Sequence, residues 1–346
     1  MTTTPSTKHF RVADKVALPY DPRSLILWTV VCGMIIALAI ATLMLGDLGV
    51  TPADIVALIQ GEASPSVEFV LQRVRGPRVL VAILAGAAFG LSGALFQTVT
   101  RNPLGSPDVL GLAAGAGAGV AAVTLFPIAL PTPAGALLGA LAAIGLVSIA
   151  TGSGLSSTSR VIIAGIAVAA MATAVTQFVV TATLRDEASR LAAYLVGSLN
   201  SRDLTHVAII AATLVVVTPV LIWLSPRLEL IGYGDELATS LGGQASATRT
   251  QAIILSVVLA AMAVAVAGPI AFIALMSPHA ARMLTGTSGP HLVGSALIGA
   301  LLLLVADLAV QHIPLLDGLP AGVITAGFGG VFLGYLLVTE FKKGTA

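Results

Sequence analysis

The sequence predicts an all-α polytopic membrane protein of about ten transmembrane helices, one of them a short half-helix, with both termini cytoplasmic. Three observations predict it. Of the 346 residues 57% are hydrophobic and 10% charged, with a mean hydropathy of +1.00; soluble domains carry roughly 25% charged residues. Long uncharged runs recur between short segments rich in Pro, Gly or charge, and about 20 apolar residues let an α-helix cross roughly 30 Å of hydrocarbon. Lys and Arg also fall unevenly on alternate sides: eleven on one (Lys8, Arg11, Lys15, Arg23, Arg101, Arg160, Arg227, Arg249, Arg282, Lys342, Lys343) and six on the other (Arg73, Arg75, Arg78, Arg185, Arg190, Arg202). The richer side is cytoplasmic.

The elements follow in order. Residues 1–24 form a cytoplasmic tail, 25–339 one membrane domain, and 340–346 a second tail. The run 25–45 has no convincing cleavage site after it and reads as an uncleaved first helix. Its Cys32 is the one cysteine, so no disulfide framework exists and an inert buried thiol is expected. Residues 46–78 are polar and of mixed charge, an extramembrane loop with an amphipathic stretch at 52–60. The uncharged run 79–99 is the second helix, and a hairpin from Arg101 to Asp108 leads into a third that ends near Phe126. Gly86, Gly90 and Ala94 on one helix, and Gly111, Gly115 and Gly119 on the next, repeat at the spacing of four that lets helix backbones approach closely.

Pro131 and Pro133 start a fourth helix at 134–150, because proline suits helix starts. A small polar loop at 151–159 precedes a fifth at 161–184. Residues 187–199 are too short and polar to span and are expected along the membrane surface. A sixth helix at 204–224, a long polar interruption at 225–251 and a seventh helix at 252–267 follow. Gly268-Pro269 then breaks the chain, leaving a half-length helix at 270–284 before the last two, 292–310 and 321–338.

Within 225–251, Asp235 and Glu236 open and Gly242-Gly243 closes a two-turn segment, with Leu237 and Leu241 on one face. Acids favour a helix N-terminus and glycine the C-terminal cap, so this is a short capped helix. A membrane domain gains nothing for its core from such a helix, which makes it a docking knob for a cytoplasmic partner or an amphipathic loop lying on the membrane. Arg75 and Arg78, on either side of Pro77 at the membrane edge, are interfacial anchors or an external docking pair. Asp307 is the clearest acid inside an apolar run; intramembrane acids are costly and often functional. No carboxylate or histidine shares its helix face within the membrane, so a hydrogen-bonded structural aspartate is favoured over a proton relay. His279, after Pro278, is expected to cap or pack at the cytoplasmic surface, and no His or Cys stands at metal-ligand spacing.

None of the four lysines follows a glycine, so the chain has no phosphate-binding loop, and it has no nucleophile elbow. Net charge of +1 without a basic cluster or aromatic stacking platform gives no support to nucleic acid as a partner. Energy for any transport must come from another subunit.

The wording of several segments is more specific than their spacing. R-x-R-x-P-R from Arg73, G-A-A-F-G-L-S-G-A-L-F-Q-T-V-T-R-N-P-L from Gly86, S-P-D-V-L-G-L-A-A-G-A-G from Ser106, Y-G-D-E-L-A-T-S-L-G from Tyr233, G-P-I-A-F-I-A-L with P-H-A-A-R from Gly268, and L-P-A-G-V-I-T from Leu319 resemble the FecCD-type permeases of ATP-driven importers for ferric siderophores, haem and cobalamin. The resemblance spans roughly residues 25–340.

That resemblance implies ten helices and a dimer whose interface forms the pathway, in a bacterial plasma (inner) membrane. It implies that Asp235, Glu236, Leu237, Ala238, Ser240, Leu241 and Gly242 form the coupling helix that enters a groove on each of two cytoplasmic ATPase subunits. ATP and Mg belong to those subunits, and no cofactor to this chain. It implies that arginines at positions 75 and 78 dock carboxylates of an external substrate-binding protein. Gln311 stands where many relatives carry arginine, which points to a second, non-identical permease subunit supplying that charge. It places an inner gate near Ser156, Ser157 and Arg160. A ferric siderophore is the expected cargo, with haem or cobalamin as alternatives. An ion-coupled secondary transporter would require paired intramembrane ionisable residues, and a membrane-embedded enzyme a reactive constellation.

Overall fold

The computed structural model describes residues 8–12, 16–20, 22–45, 50–126, 130–152, 158–182, 194–287 and 289–344. A two-stranded antiparallel ribbon, β1 (Lys8–Val12) and β2 (Val16–Tyr20), stands where the sequence suggested a plain tail, so the chain is helical but not purely so. Thirteen α-helices follow among the described residues: α1 (Pro22–Met44), α2 (Pro52–Gln60), α3 (Pro65–Phe69), α4 (Gly76–Thr100), α5 (Leu112–Leu125), α6 (Thr132–Thr151), α7 (Thr158–Ala182), α8 (Leu204–Gly232), α9 (Asp235–Ser240), α10 (Ala245–Ala267), α11 (Ile273–Thr285), α12 (Leu292–His312) and α13 (Ala321–Gly344). Among the described residues seven spans are long and apolar enough to cross a membrane, and α5 and residues 321–336 are shorter apolar helices.

The fold is built around α4. It packs on α8, α10, α11 and α12, and 78% of its apolar window is buried, against 17% for α1 and 22% for α7. Outer helices keep apolar faces for lipid, as Ile163, Ile166 and Phe178 of α7 show by their exposure. Glycine makes the central packing this tight. A Cβ at Gly86 would lie 2.4 Å from the Gly299 carbonyl oxygen of α12, and one at Gly90 would lie 2.0 Å from that of Ser295. Gly115 and Gly119 of α5 meet Gly139 and Gly135 of α6 in the same way. Gly111 differs from the expected stripe: with φ 75° it caps a 3₁₀ turn (Pro107–Leu110) and turns the chain into α5. Only glycine adopts that conformation freely.

Three boundaries depart from the sequence expectation. Within the expected loop 46–78, the described residues 50–78 are mostly helical. Thr51 and Asp54 form a capping box on α2, Gly61 closes it with φ 77°, and α3 runs through a π-turn (Val70–Arg75) straight into α4. The wider turn, in which the Gly76 N–H reaches the Leu71 carbonyl, lets the helix continue past Pro77, whose ring and missing N–H would break a regular ladder. The polar interruption 225–251 is also mostly helical, because α8 runs on to Gly232 and α10 starts at Ala245. Arg227 stacks 3.9 Å over the Trp223 ring along the extended end of α8.

The third departure concerns residues 194–199, expected on the membrane surface. They are largely buried in protein: Tyr194 Oη donates to the Val264 carbonyl at 2.9 Å, and the Gly322 N–H donates to the Gly197 carbonyl at 3.0 Å. The reason is the break after α10. Gly268 (φ 79°) and Phe272 (φ 68°) leave the 268–272 backbone outside any helix, and irregular backbone at membrane depth survives only where protein covers it. Residues 187–193 lie outside the described residues.

Candidate functional site

Two polar assemblies stand out, one at each end of the bundle. The first surrounds α9. Gly234 (φ 119°) turns the chain out of α8, and Gly242 (φ 80°) closes α9 with N–H bonds from Leu241, Gly242 and Gly243 to the carbonyls of Leu237, Thr239 and Ala238. Ser240 Oγ donates to the Glu236 carbonyl at 2.8 Å. Ala238 is fully buried and seats the helix on its neighbours, while Leu237 and Leu241 are 50% and 61% exposed. The apolar pair expected on one face therefore points away from the protein's own core.

Beside α9 lies a half-open cavity of about 400 Å³, walled by the ends of α4, α8 and α11; Gln97, Arg101, Glu229, Tyr233 and Arg282 are among its lining residues. Arg101, itself at φ 49°, donates from Nε and Nη2 to the Ile231 carbonyl at 3.2 and 2.9 Å and so ties the end of α4 to that of α8. Arg282 Nη2 donates to Gln97 Oε1 at 2.6 Å, and Gln97 Nε2 donates to the Leu275 carbonyl at 3.0 Å. Gln97 is a residue that motif spacing does not single out. Its signal was present as an amide inside an otherwise apolar crossing, where polar side chains bind neighbouring helices. His279 packs edge-on against Phe332 of α13, with ring centroids 5.4 Å apart.

The Arg101–Asp108 hairpin leaves the same end of α4. The Asp108 N–H donates to Ser106 Oγ at 3.4 Å, and burial pushes the Asp108 carboxyl up to about 6 against the opposing effect of the Ser106 hydroxyl.

At the opposite end of α4, Arg78 Nε and Nη2 donate to the Asp307 carboxylate at 2.8–3.0 Å. Gln311 Nε2 adds a 2.7 Å bond to the same carboxylate, which is fully buried. Asp307 is thus hydrogen-bonded, as the sequence led us to expect. Arg75 turns elsewhere and donates from Nη1 to the carbonyls of Thr42, Leu43 and Leu45, closing the C-terminus of α1. Arg75, Arg78 and Gln311, expected together on one docking surface, are put to two separate internal uses.

Of the expected gate residues, Ser156 and Ser157 lie outside the described residues, and Arg160 is exposed in the first turn of α7. No group of three His, Cys, Asp or Glu among the described residues could hold a metal ion. Cys32 is half-buried in α1.

Comparison with known proteins agrees with this architecture. The chain is 38% identical over 300 residues to the ferric enterobactin transport system permease protein FepG of Escherichia coli, covering 86% of this chain and 91% of that protein. It is 37% identical over 326 residues to the Fe(3+)-citrate import system permease protein YfmE of Bacillus subtilis, covering 93% and 97%. An inward-facing metal-chelate-type ABC transporter superposes with a TM-score of 0.80 at 24% identity, over 91% of this chain and 99% of that one, which establishes the shared fold. Residues 30–339 match the description "FecCD transport family", and the chain belongs to that family of membrane permeases.

Proposed function

We propose that this chain is the membrane-spanning subunit of an ATP-driven importer that passes a ferric siderophore into the cytoplasm. The observation that carries the mechanism is α9: a short helix closed at its C-terminal end by backbone bonds, seated by buried Ala238, with Leu237 and Leu241 presented outward. A helix held so firmly by its backbone and so little covered transmits a push from whatever grips it. The gripping partner is an ATPase subunit carrying ATP and Mg. Two such subunits serve a pair of permease subunits, and an external binding protein delivers cargo. The cargo follows from relatives named for ferric enterobactin and Fe(3+)-citrate.

The full topology in this reading has ten crossings in a bacterial inner membrane: the seven long spans together with α5, α11 and α13. Both termini and α9 are cytoplasmic. The Arg78–Asp307–Gln311 assembly then lies at the external end, where it holds α4 and α12 in register under the docked binding protein. Residues 151–160 form the cytoplasmic gate. The second permease is read as a different chain, one with arginine at the position that Gln311 holds here.

Reconstitution tests the proposal. Vesicles holding this chain, its co-expressed ATPase and a partner permease should accumulate iron from a ferric siderophore only with ATP and binding protein. Purification of the chain without any ATPase, or uptake driven by a proton gradient alone, would overturn it.

A further inference from the structure

One arginine in the wall of the cavity beside α9, Arg282, has no acid as its partner among the described residues. Arg282 is half-buried, and its hydrogen bond goes to a neutral amide, Gln97, which is only 3% exposed and is fixed in turn by the Leu275 carbonyl. No carboxylate among the described residues pairs with Arg282. Glu229 lines the same cavity but is exposed, and Arg101 on another wall is turned to the Ile231 carbonyl. A guanidinium drawn part of the way out of water and left without an acid is costly, and an anion entering the cavity relieves that cost.

The cavity mouth indicates where the anion comes from. Gly232 and Tyr233 form its rim, and α9 begins two residues later. Tyr233 is 76% exposed, and with Leu237 and Leu241 it forms an apolar collar next to a cationic hollow. A protein surface that covers the collar also seals the hollow and strengthens any ion pair formed inside it. Arg282 gives one N–H donor to Gln97, and its remaining N–H donors suit a carboxylate.

We propose that an aspartate or glutamate of the ATP-hydrolysing subunit inserts into this cavity and pairs with Arg282, locking α9 against that subunit. The proposal rests on the reading of α9 as the docking helix.

The test uses the purified complex of this chain with its co-expressed ATPase. Arg282→Lys places a primary amine in the cavity, and a water-soluble carbodiimide joins an amine to a carboxylate in direct contact. Mass spectrometry should find an amide between position 282 and an acidic residue of the ATPase. Arg282→Gln should weaken ATPase retention about tenfold at low salt, with the difference shrinking as salt screens the charge. If Arg282→Gln fails to give a monodisperse protein, the cross-link alone decides. A cross-link to Glu229 only, or no cross-link from a complex that retains its ATPase, would overturn the proposal. So would an anionic phospholipid held by the wild type in native mass spectrometry and lost in Arg282→Gln. Leu237→Asp with Leu241→Asp separates the two claims. ATPase retained by that variant sinks the docking reading itself, whereas ATPase lost there but unaffected in both Arg282 variants sinks only the cavity proposal.

Discussion

Arg78 and Asp307, 229 residues apart in sequence, meet at 2.8 Å with the carboxylate fully buried. Gln311 satisfies the remaining side of that carboxylate, so the charge is both paired and hydrogen-bonded. Removing one partner strands the other. Arg78→Leu and Asp307→Leu should each cost about 3–5 kcal/mol, the usual penalty for breaking a buried pair, while the double variant should cost less than either alone. Thermal unfolding in detergent measures this. Equal and additive losses would show that the pair is not coupled.

The glycines between α4 and α12 are a second point of leverage. Gly90→Ala drives a methyl to within 2.0 Å of the Ser295 carbonyl oxygen, which forces the two helices apart, whereas Gly327→Ala on α13 meets nothing within 4 Å. The first should destabilise by about 3 kcal/mol and sharply reduce folded yield. The second should be neutral or stabilising by up to about 1 kcal/mol, since alanine is the better helix former. Size-exclusion profiles of the two variants give the comparison directly.

For α9 the expected outcome is loss of partner without loss of fold. Leu237→Asp with Leu241→Asp alters two exposed side chains and should leave insertion and melting temperature unchanged while abolishing copurification of the ATPase. Ala238→Leu at the buried seat should instead destabilise the protein itself. Identical behaviour of the two variants would argue against separate docking and seating faces.

Asp108 sets a pH dependence. Its carboxyl is raised by burial from 3.8 to about 6, so the folded state holds a proton that the unfolded state has already released. By linkage, this residue's contribution to stability is greatest below pH about 4, declines as pH rises toward 6, and is flat above it. Asp108→Asn should remove that decline and raise the melting temperature relative to wild type near neutral pH. Parallel melting curves for the two proteins between pH 4 and 7 would contradict the assignment.

The gate expectation is tested at positions 156 and 157. Cysteines introduced at Ser156 and Ser157 should change thiol reactivity between nucleotide-free and ATP-bound complexes, and equal labelling in both states would move the gate elsewhere.

Much of this protein was legible in its sequence because lipid imposes simple rules. A backbone in hydrocarbon must satisfy its own hydrogen bonds, so long apolar runs become helices, and glycine at a spacing of four marks where they touch. The capped helix at 235–240 was visible for a local reason, since its Gly ends and i, i+4 leucines act within two turns. What the sequence left open was decided by contacts between distant segments. Proline at 77 marked a boundary locally, but the π-turn before it let the helix continue from Pro65 to Thr100. The stretch 187–199 was short and polar enough to suggest a membrane surface, yet residues 194–199 pack against the non-helical backbone at 268–272, where Gly197 and Gly268 allow the close approach. Arg75 and Arg78, neighbours on one stretch of chain, point to different partners because one faces the end of α1 and the other a carboxylate on α12. An arginine's nearest charge or carbonyl is a property of packed helices, and no spacing along the chain encodes it.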